Sequence, residues 1–406
     1  MKIGIALGSG GSKGAYQVGF FQALKELNMK YQVVTGASIG ALNGAIMASA
    51  DLQLLEKLWH NLELNKVMRH GINLDLDEIV RSDKKELLKF IASYIKNRGI
   101  DISPFKALLH EYLDPDKLIN SPIDFAVTVA SFPKLVGKDV IIKQCRREEI
   151  GDYLLASASC YPAFPVTKIG LEQYIDGAYH DRLPIDLAFS LGAEHVIAVD
   201  LNTAQFSHPE YLDDSRVTYI RSYHNLGPFL LIKREIMARN MRLGYLDTMK
   251  KFGKYLGFKY TFKITSAFDE IARQAIETVD RLRVSELTNA LEAKIRETMT
   301  TRTRYLRFLE IIGEGLELDP LKIYEIPQFT QEIDQAIVLN QHHETWLKKR
   351  PGEQQFYLQK LKPAARFGTL RQIAKLKLKL PEDTVTMLAT SFPELCCAAI
   401  HFGLIK

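Results

Sequence analysis

The stretch YQVVTGASIGALNGAIMASA, residues 31–50, decides the fold. It predicts a short buried strand, a tight turn that carries Ser38, and an apolar helix rich in small residues. A sharp strand-to-helix turn crowds its serine, so the flanking positions must lack bulk, and Gly36 and Gly40 meet that requirement. Ser38 is therefore predicted to be a nucleophile at an elbow, where the helix N-terminus behind it favours negative charge.

A glycine-rich loop precedes this elbow. Residues 2–7 form an apolar run that is typical of a parallel strand buried on both faces. The loop GSGGSKG follows at 8–14, and then a helix whose apolar residues recur at helical spacing until Asn28. A right-handed crossover makes the two strands parallel and places both loops at the carboxyl edge of the sheet, so the glycine loop can face Ser38.

The glycine loop does not fit a nucleotide site. A phosphate-binding P-loop needs glycine before its lysine and Ser or Thr after it, whereas Ser12 precedes Lys13 and Gly14 follows. A dinucleotide fingerprint also fails, because lysine stands where its third glycine is needed. Two interpretations remain: a tight turn into the helix, and an oxyanion hole in which the backbone N–H groups of Gly10, Gly11 and Ser12 point at one spot.

The segment YIDGA, residues 174–178, places Asp176 at the end of an apolar strand. Glycine follows at once, an arrangement in which catalytic carboxylates are often carried, although Asp-Gly is equally common in turns. Helices are predicted over 51–120 and 152–160, and strands over 123–130, 139–143, 196–200 and 217–220.

The composition is that of a globular protein, with 47% hydrophobic and 25% charged residues among 406. At this length we expect one large domain and an appended one. No apolar run of about 18 residues predicts a transmembrane helix, and the N-terminus lacks a signal-peptide pattern, so a cytoplasmic protein is expected. The four cysteines show neither CxxC spacing nor enough nearby histidines to make a zinc site, which predicts reduced thiols; no metal and no cofactor are expected.

Five segments of the sequence resemble the patatin-like phospholipases, a family of lipid acyl hydrolases. They are SGGSKG at 9–14, GASIG at 36–40, ASASCYPAFPV at 156–166, DGA at 176–178 and RLPIDLA at 182–188. The similarity covers roughly residues 1–250. Lys13 and Gly14 complete the glycine loop and are expected to support the oxyanion hole. The family usually carries arginine at the position of Lys13.

The resemblance implies an α/β fold in which helices sandwich a mainly parallel central sheet, and a lipid ester as substrate. It also implies a Ser-Asp dyad in which Ser38 is the nucleophile and Asp176 the base, with Gly10, Gly11 and Ser12 as the oxyanion hole. Asp176 would take the serine proton, return it to the leaving alcohol, and activate the water that hydrolyses the acyl-enzyme. Because a hydrated carboxylate is a weak base, we expect Asp176 to be partly buried beside Ser38, with a raised pKa.

Two enzyme alternatives stay open. The first is a Ser-His-Asp triad in which His180 is the base. His180 follows Asp176 by four residues, and the chain order Ser, Asp, His is that of α/β-hydrolase triads, although the acid and the histidine of those enzymes usually come from separate loops. His195, which enters a predicted strand, is predicted to be structural. A soluble thioesterase or short-chain esterase is the other alternative, because nothing in the sequence fixes the acyl length.

The remainder of the chain falls outside the resemblance. We predict a catalytic domain over 1–255 and a helical region of unassigned role over 256–406. Residues 341–380 hold ten Lys or Arg against two Glu. A solvated face explains this excess most simply, and peripheral contact with an anionic membrane surface is the second explanation. Nucleic-acid contact is the weakest, because the faint helix-turn-helix pattern at 369–389 lacks its turn glycine; it would make the chain a ligand-sensing module with a nucleic-acid-binding tail.

Overall fold

The computed structural model describes residues 1–68, 101–282, 284–292, 300–337, 342–375 and 382–401. The chain divides into two compact units, Met1–Met249 and Lys250–Lys406. The predicted domain boundary at residue 255 falls a few residues after this division.

Within the first unit, the described residues form an eight-stranded sheet. The strands are β1 (Ile3–Leu7), β2 (Val33–Ala37), β3 (Asp124–Ser131), β4 (Gly137–Ile141), β5 (Thr167–Ile169), β6 (Glu172–Asp176), β7 (His195–Asp200) and β8 (Val217–Arg221). Strands pair in the order β5-β6-β3-β2-β1-β7-β8, and β4 also pairs with β3. The β3-β2-β1-β7-β8 pairings are parallel, and those of β4, β5 and β6 are antiparallel. The predicted α/β fold with a mainly parallel sheet is confirmed.

The helices predicted up to residue 160 are present where the structure describes them, and two further helices follow in the first unit. The helices of this unit are α1 (Ala15–Glu26), α2 (Ile39–Ala48), α3 (Leu52–His60), α4 (Leu64–Val67), α5 (Ser103–Tyr112), α6 (Pro115–Ile119), α7 (Ile150–Ser157), α8 (Ile185–Ser190) and α9 (Arg234–Lys251). Part of the helical prediction over 51–120 lies outside the described residues. Capping residues mark the ends of two helices. The Asp51 carboxylate accepts the Leu54 N–H at 2.9 Å and caps the N-terminus of α3, and Asn28, with a left-handed φ of 52°, follows the end of α1.

Helices cover both faces of this sheet. Val33 of β2 belongs to one apolar cluster with Ile185 and Ala188 of α8. A Cβ placed on Gly44 of α2 would instead lie 3.2 Å from the Val34 side chain. Successive side chains of a strand point to opposite faces, so α8 and α2 pack on opposite sides of the sheet. The first unit is therefore a helix-sheet-helix sandwich.

The second unit has its own helices and core. Its helices are α10 (Phe268–Leu282), α11 (Ser285–Glu292), α12 (Thr301–Gly315), α13 (Ile326–Ala336), α14 (His342–Leu347), α15 (Pro351–Lys360), α16 (Pro363–Lys375), α17 (Glu382–Ser391) and α18 (Pro393–His401). A short parallel pair, β9 (Thr261–Phe262) and β10 (Ile323–Tyr324), joins them and was not predicted. Large apolar side chains such as Phe262, Phe308 and Phe329 are fully buried here, which gives this unit a core of its own.

A buried acid fixes one turn of the second unit. Glu310 of α12 is 1% exposed and accepts the backbone N–H groups of Phe258, Lys259 and Tyr260 at 2.6, 2.6 and 3.2 Å. Burial raises the pKa of Glu310 to about 7, while the charge of Lys250 and the N–H groups of Phe258 and Tyr260 act in the opposite direction. The carboxyl group therefore organises the chain that leads into β9.

The basic stretch at 341–380 is described only in part. Lys348, Arg350, Lys360 and Lys362 are exposed on α14–α16 and their connections. The turn of the predicted helix-turn-helix lies outside the described residues, so both the membrane and the nucleic-acid interpretations of this stretch stay predictions. In the described part of the chain, no helix has both the length and the apolar character needed to cross a membrane.

Candidate active site

Ser38 connects β2 directly to α2. Its φ of 56° and ψ of −125° lie in a region that residues other than glycine rarely adopt. A Cβ on Gly36 would lie 2.3 Å from the carbonyl oxygen of Gly40, and a Cβ on Gly40 would lie 2.1 Å from that of Leu7. The two glycines are thus required by close backbone approach, and the predicted strained elbow is confirmed.

The strand register brings Asp176 to this elbow. Residues 126–128 of β3 pair with both β2 and β4, and residues 129–130 pair with both β4 and β6. A strand has two edges, so β2 and β6 lie end to end on the same edge of β3 and run toward each other. β6 ends with Asp176 opposite Val129, the position that Ser38 would reach if β2 continued.

Ser38 and Asp176 are in direct contact. The Ser38 Oγ donates to Asp176 Oδ2 at 2.7 Å, and Asp176 Oδ1 accepts the Ala178 N–H at 2.8 Å. Asp176 is only 3% exposed. Burial raises the pKa of Asp176 to about 6, although the hydrogen bonds from Ser38 and Ala178 and the charge of Arg182 lower it. The predicted burial of Asp176 and its proximity to Ser38 are confirmed, and this environment shifts the pKa in the predicted direction.

Ser157, which was not predicted to be a site residue, holds the elbow through hydrogen bonds. The Ser38 N–H donates to Ser157 Oγ at 3.1 Å, and this hydroxyl donates to the Thr128 carbonyl at 2.8 Å. Ser157 is fully buried at the end of α7. Its hydroxyl therefore ties the strained turn to the neighbouring strand β3.

The glycine loop and Ser38 line one cavity. The backbone N–H groups of Gly10, Gly11 and Ser12 differ in their hydrogen bonds. Gly11 has φ 56°, and a Cβ there would lie 2.1 Å from the Phe229 carbonyl oxygen. The Ser12 N–H donates to that oxygen at 2.7 Å, and the Ser12 hydroxyl donates to the Pro228 carbonyl at 3.1 Å. In this conformation the Ser12 amide is not available to an oxyanion, which corrects the predicted trio. Among the described residues, nothing accepts the N–H groups of Gly10 and Gly11.

A buried polar network holds both ends of the glycine loop. Gln17 Nε2 donates to the Gly8 carbonyl at 2.8 Å, and Asn43 Nδ2 donates to the Gly14 carbonyl at 3.0 Å. Asn43 also donates to Gln17 Oε1 at 2.8 Å and accepts the Trp59 Nε1–H at 2.9 Å. All three side chains are at most 2% exposed. Asn43 is the one polar residue in the helix sequence IGALNGAIMA, a signal that could have identified it.

The dyad and the glycine loop line a cavity of about 430 Å³. Its wall is mostly apolar and includes Ile39, Leu42, Ile46, Leu58, Phe105, Leu108, Leu154 and Phe164. Lys13 and Arg182 also line it. Burial and the charge of Arg182 lower the pKa of Lys13. The cavity therefore combines a nucleophile, a buried carboxylate, backbone donors and two cations with room for an apolar chain.

The two histidines considered from the sequence, His180 and His195, contact other residues. His180 packs against Gly137, where a Cβ would lie 1.9 Å from the imidazole ring. His195 Nε2 is 2.8 Å from Thr218 Oγ1, consistent with its predicted structural role. Among the described residues, no histidine is hydrogen-bonded to Ser38 or Asp176, and no group of three or more His, Cys, Asp or Glu is placed to hold a metal ion.

Comparison with known proteins identifies a family for the first part of the chain. A family model described as patatin-like phospholipase matches residues 5–189. Neuropathy target esterase sws from Drosophila melanogaster is 23% identical over 289 residues, which are 69% of this chain and 19% of that protein. Lysophospholipase NTE1 from Phaeosphaeria nodorum is 23% identical over 269 residues, 64% of this chain and 16% of that protein.

Among solved structures, VipD from Legionella pneumophila superposes with a TM-score of 0.42 and 15% identity, covering 97% of this chain and 91% of that one. The chain spans under a fifth of the length of the two curated relatives above. Both Ser38 and Asp176 fall inside the range that the family model matches. The chain therefore contains a patatin-like phospholipase domain, which covers residues 5–189.

Proposed function

We propose that this protein is a serine acyl hydrolase that cleaves carboxylic ester bonds of lipids through a Ser38–Asp176 dyad. The observation that carries the proposal is the 2.7 Å hydrogen bond from the Ser38 hydroxyl to the buried Asp176 carboxylate. A serine hydroxyl needs a base to become a nucleophile, and this carboxylate is the group in contact with it. Its raised pKa makes Asp176 a stronger base than a hydrated carboxylate.

The reaction would run in two halves. Asp176 takes the proton from Ser38 Oγ as that oxygen attacks the ester carbonyl, and the N–H groups of Gly10 and Gly11 stabilise the oxyanion. Collapse of this intermediate breaks the ester bond, and Asp176 returns the proton to the leaving alcohol. The same carboxylate then activates water, which hydrolyses the acyl-enzyme and releases a fatty acid.

The cavity favours a lipid as the substrate. Its volume of about 430 Å³ falls in the ordinary range of small-molecule sites, and its apolar wall suits an acyl chain. Lys13 and Arg182 line the same cavity, where they would attract the phosphate of a phospholipid or lysophospholipid head group. Both named relatives carry esterase or lysophospholipase in their descriptions, which agrees with this substrate class.

A substrate panel tests the proposal. Phosphatidylcholine, lysophosphatidylcholine, p-nitrophenyl butyrate and an acyl thioester are incubated with the protein and with Ser38→Ala, and released acid is measured. We expect fatty acid from the phospholipid or the lysophospholipid, and none with Ser38→Ala. Cleavage of the thioester or the short ester alone would favour a soluble thioesterase or a short-chain esterase. If none of the four substrates were cleaved, the proposal that the protein is an acyl hydrolase would be refuted.

The network at the glycine loop gives a further prediction. Asn43→Ala leaves the Trp59 N–H and the Gly14 carbonyl without their buried partner, so the loop loses its fixed position. We expect kcat for p-nitrophenyl butyrate to fall about 10- to 100-fold with a smaller change in KM, because oxyanion donors act in the transition state. The free energy of unfolding should drop by about 1–3 kcal/mol.

The matched control for Asn43→Ala is Asn61→Ala, since Asn61 is exposed at the end of α3 and its side chain donates to Lys57 of that same helix. It should leave both kcat and the melting temperature unchanged. If Asn43→Ala lowered the melting temperature but kept the wild-type kcat, the network would support the fold without organising the oxyanion donors.

A further inference from the structure

Two hairpin turns lie side by side at one end of the first unit's sheet. The turn between β3 and β4 spans residues 132–136, and the turn between β5 and β6 is Gly170 and Leu171. Ser131 pairs with Tyr174, and the Phe132 N–H donates to the Gln173 carbonyl at 2.8 Å. Both turns therefore continue from adjacent, paired strand ends. We call residues 132–136 and 170–171 the paired tips.

The paired tips expose large aliphatic side chains. Leu171 is 98% exposed, Val136 61% and Leu135 48%. A Cβ on Gly170 would meet nothing within 4 Å, so this turn stands clear of the rest of the described protein. Turns of hairpins normally carry polar residues and glycine, and neighbouring exposed apolar side chains mark an interaction surface.

The paired tips project from the edge of the sheet that carries the dyad. β3 is parallel to β2, and the last pair between them is Ala37 with Thr128, so residues 132–136 extend beyond the end of β2. β6 leads from Leu171 back to Asp176 in five residues, which at about 3.3 Å per residue places the tip about 17 Å from the carboxylate. The surface thus stands beside the cavity that holds the dyad.

Two tyrosines lie between the cavity and the paired tips. Tyr161 is 37% exposed and Tyr179 45% exposed, and each is next in sequence to a residue that lines the cavity. The Tyr179 hydroxyl donates to the Tyr161 carbonyl. The Tyr161 ring packs on Phe132 of the first tip, with centroids 5.0 Å apart. A continuous half-exposed aromatic surface therefore connects the cavity to the tips.

Two exposed lysines complete this surface. Lys134 lies within the first tip, and Lys168 lies two residues before the second. Aliphatic side chains at the end, tyrosines behind them and lysines beside them match the layers of a membrane interface, where tyrosine sits among head groups and lysine attracts anionic lipid. A protein partner would not require that order.

We propose that the paired tips insert into the surface of an anionic phospholipid bilayer and bring the mouth of the cavity to its substrate. This inference rests on the proposed function for its purpose, since an enzyme that acts on membrane lipids needs to reach them. The docking itself involves neither Ser38 nor Asp176 and can be measured without turnover.

The first test measures binding to vesicles of phosphatidylcholine with and without phosphatidylglycerol. We expect the triple variant Leu135→Ser, Val136→Ser, Leu171→Ser to partition at least about tenfold more weakly than wild type, because burial of one aliphatic side chain in hydrocarbon is worth about that factor. The control is Ile264→Ser, since Ile264 is 54% exposed in the other unit. All three proteins should hydrolyse p-nitrophenyl butyrate, a monomeric ester, at the same rate.

A spectroscopic test reports insertion directly. The two native tryptophans, Trp59 and Trp346, are each 1% exposed, so a new tryptophan at a tip is readily distinguished. We expect the emission of Leu171→Trp to shift to shorter wavelength on phosphatidylglycerol vesicles and to be quenched by brominated acyl chains, while Ile264→Trp does not respond.

Several results would overturn the docking proposal. The first is equal vesicle binding by wild type and the triple variant, and the second is no vesicle binding by either. The third is loss of self-association in the triple variant with vesicle binding unchanged, a result that would make the surface an interface between copies of the chain. The proposed function fails separately, if wild type hydrolyses no ester and Ser38 takes no fluorophosphonate, whatever the vesicles show.

Discussion

Asp176→Asn is expected to lower kcat/KM for a lipid ester about 10⁴-fold. Asparagine has nearly the shape of aspartate and can accept the Ala178 N–H, but it cannot take the proton that Ser38 must lose. The loss should lie in kcat, because the proton moves in the transition state and not on binding. Steady-state hydrolysis of phosphatidylcholine and of p-nitrophenyl butyrate measures it.

The melting temperature of Asp176→Asn distinguishes loss of the catalytic base from misfolding. The pKa of Asp176 is raised in the folded state, so between its ordinary value and about 6 the native protein holds more protons than the unfolded chain. The contribution of this group to stability therefore falls as the pH rises through that window, and at neutral pH the buried charge is unfavourable. Asp176→Asn should melt no lower than wild type at pH 7.5.

The matched control is Asp152→Asn, since Asp152 is exposed on α7. It should keep full activity. If Asp176→Asn retained more than a tenth of the wild-type kcat/KM, Asp176 would not be the base.

Ser38→Ala should have an even larger effect, with kcat reduced about 10⁶-fold, since removal of a catalytic nucleophile leaves only transition-state binding. No acyl-enzyme can form, so a fluorophosphonate should label the wild type and leave this variant unlabelled. Ser49→Ala, at the opposite end of the same helix α2, should label like the wild type. Labelling of Ser38→Ala on another side chain, with activity preserved, would place the nucleophile elsewhere.

Local constraints explain why much of the fold could be predicted from the sequence. The elbow depends on Gly36 and Gly40 within a few residues of Ser38, because a Cβ at either glycine would collide with nearby backbone. The strands β1 and β2 are almost wholly buried, which gives continuous apolar runs. Patterns of this kind are fixed by neighbours in sequence or by burial alone, and both are visible in one chain.

Long-range contacts could not be predicted in the same way. The Ser12 amide bonds the carbonyl of Phe229, more than two hundred residues later, and nothing in the loop sequence indicates that partner. Ser157 reaches Ser38 only because α7 folds back onto β3. The meeting of β2 and β6 on one edge of β3 likewise depends on an antiparallel register that strand patterns do not specify.

The place of His180 depends on the same kind of long-range contact. His180 follows Asp176 by four residues, yet the short turn at Gly177–Tyr179 leads it to Gly137, away from the cavity wall. We expect His180→Ala to keep most of the activity. That variant therefore serves as the comparison in the measurement that distinguishes dyad from triad.

The pH dependence of Ser38 acylation tests the central claim most directly. The rate of fluorophosphonate labelling is measured from pH 4 to 9 for the wild type, His180→Ala and Asp176→Asn. Since protonated Asp176 cannot accept the serine proton, the rate should rise with pH and level off above about 6 in the first two proteins. Asp176→Asn should show only a slow rate without that rise. A rise that persists in Asp176→Asn and disappears in His180→Ala would contradict the dyad.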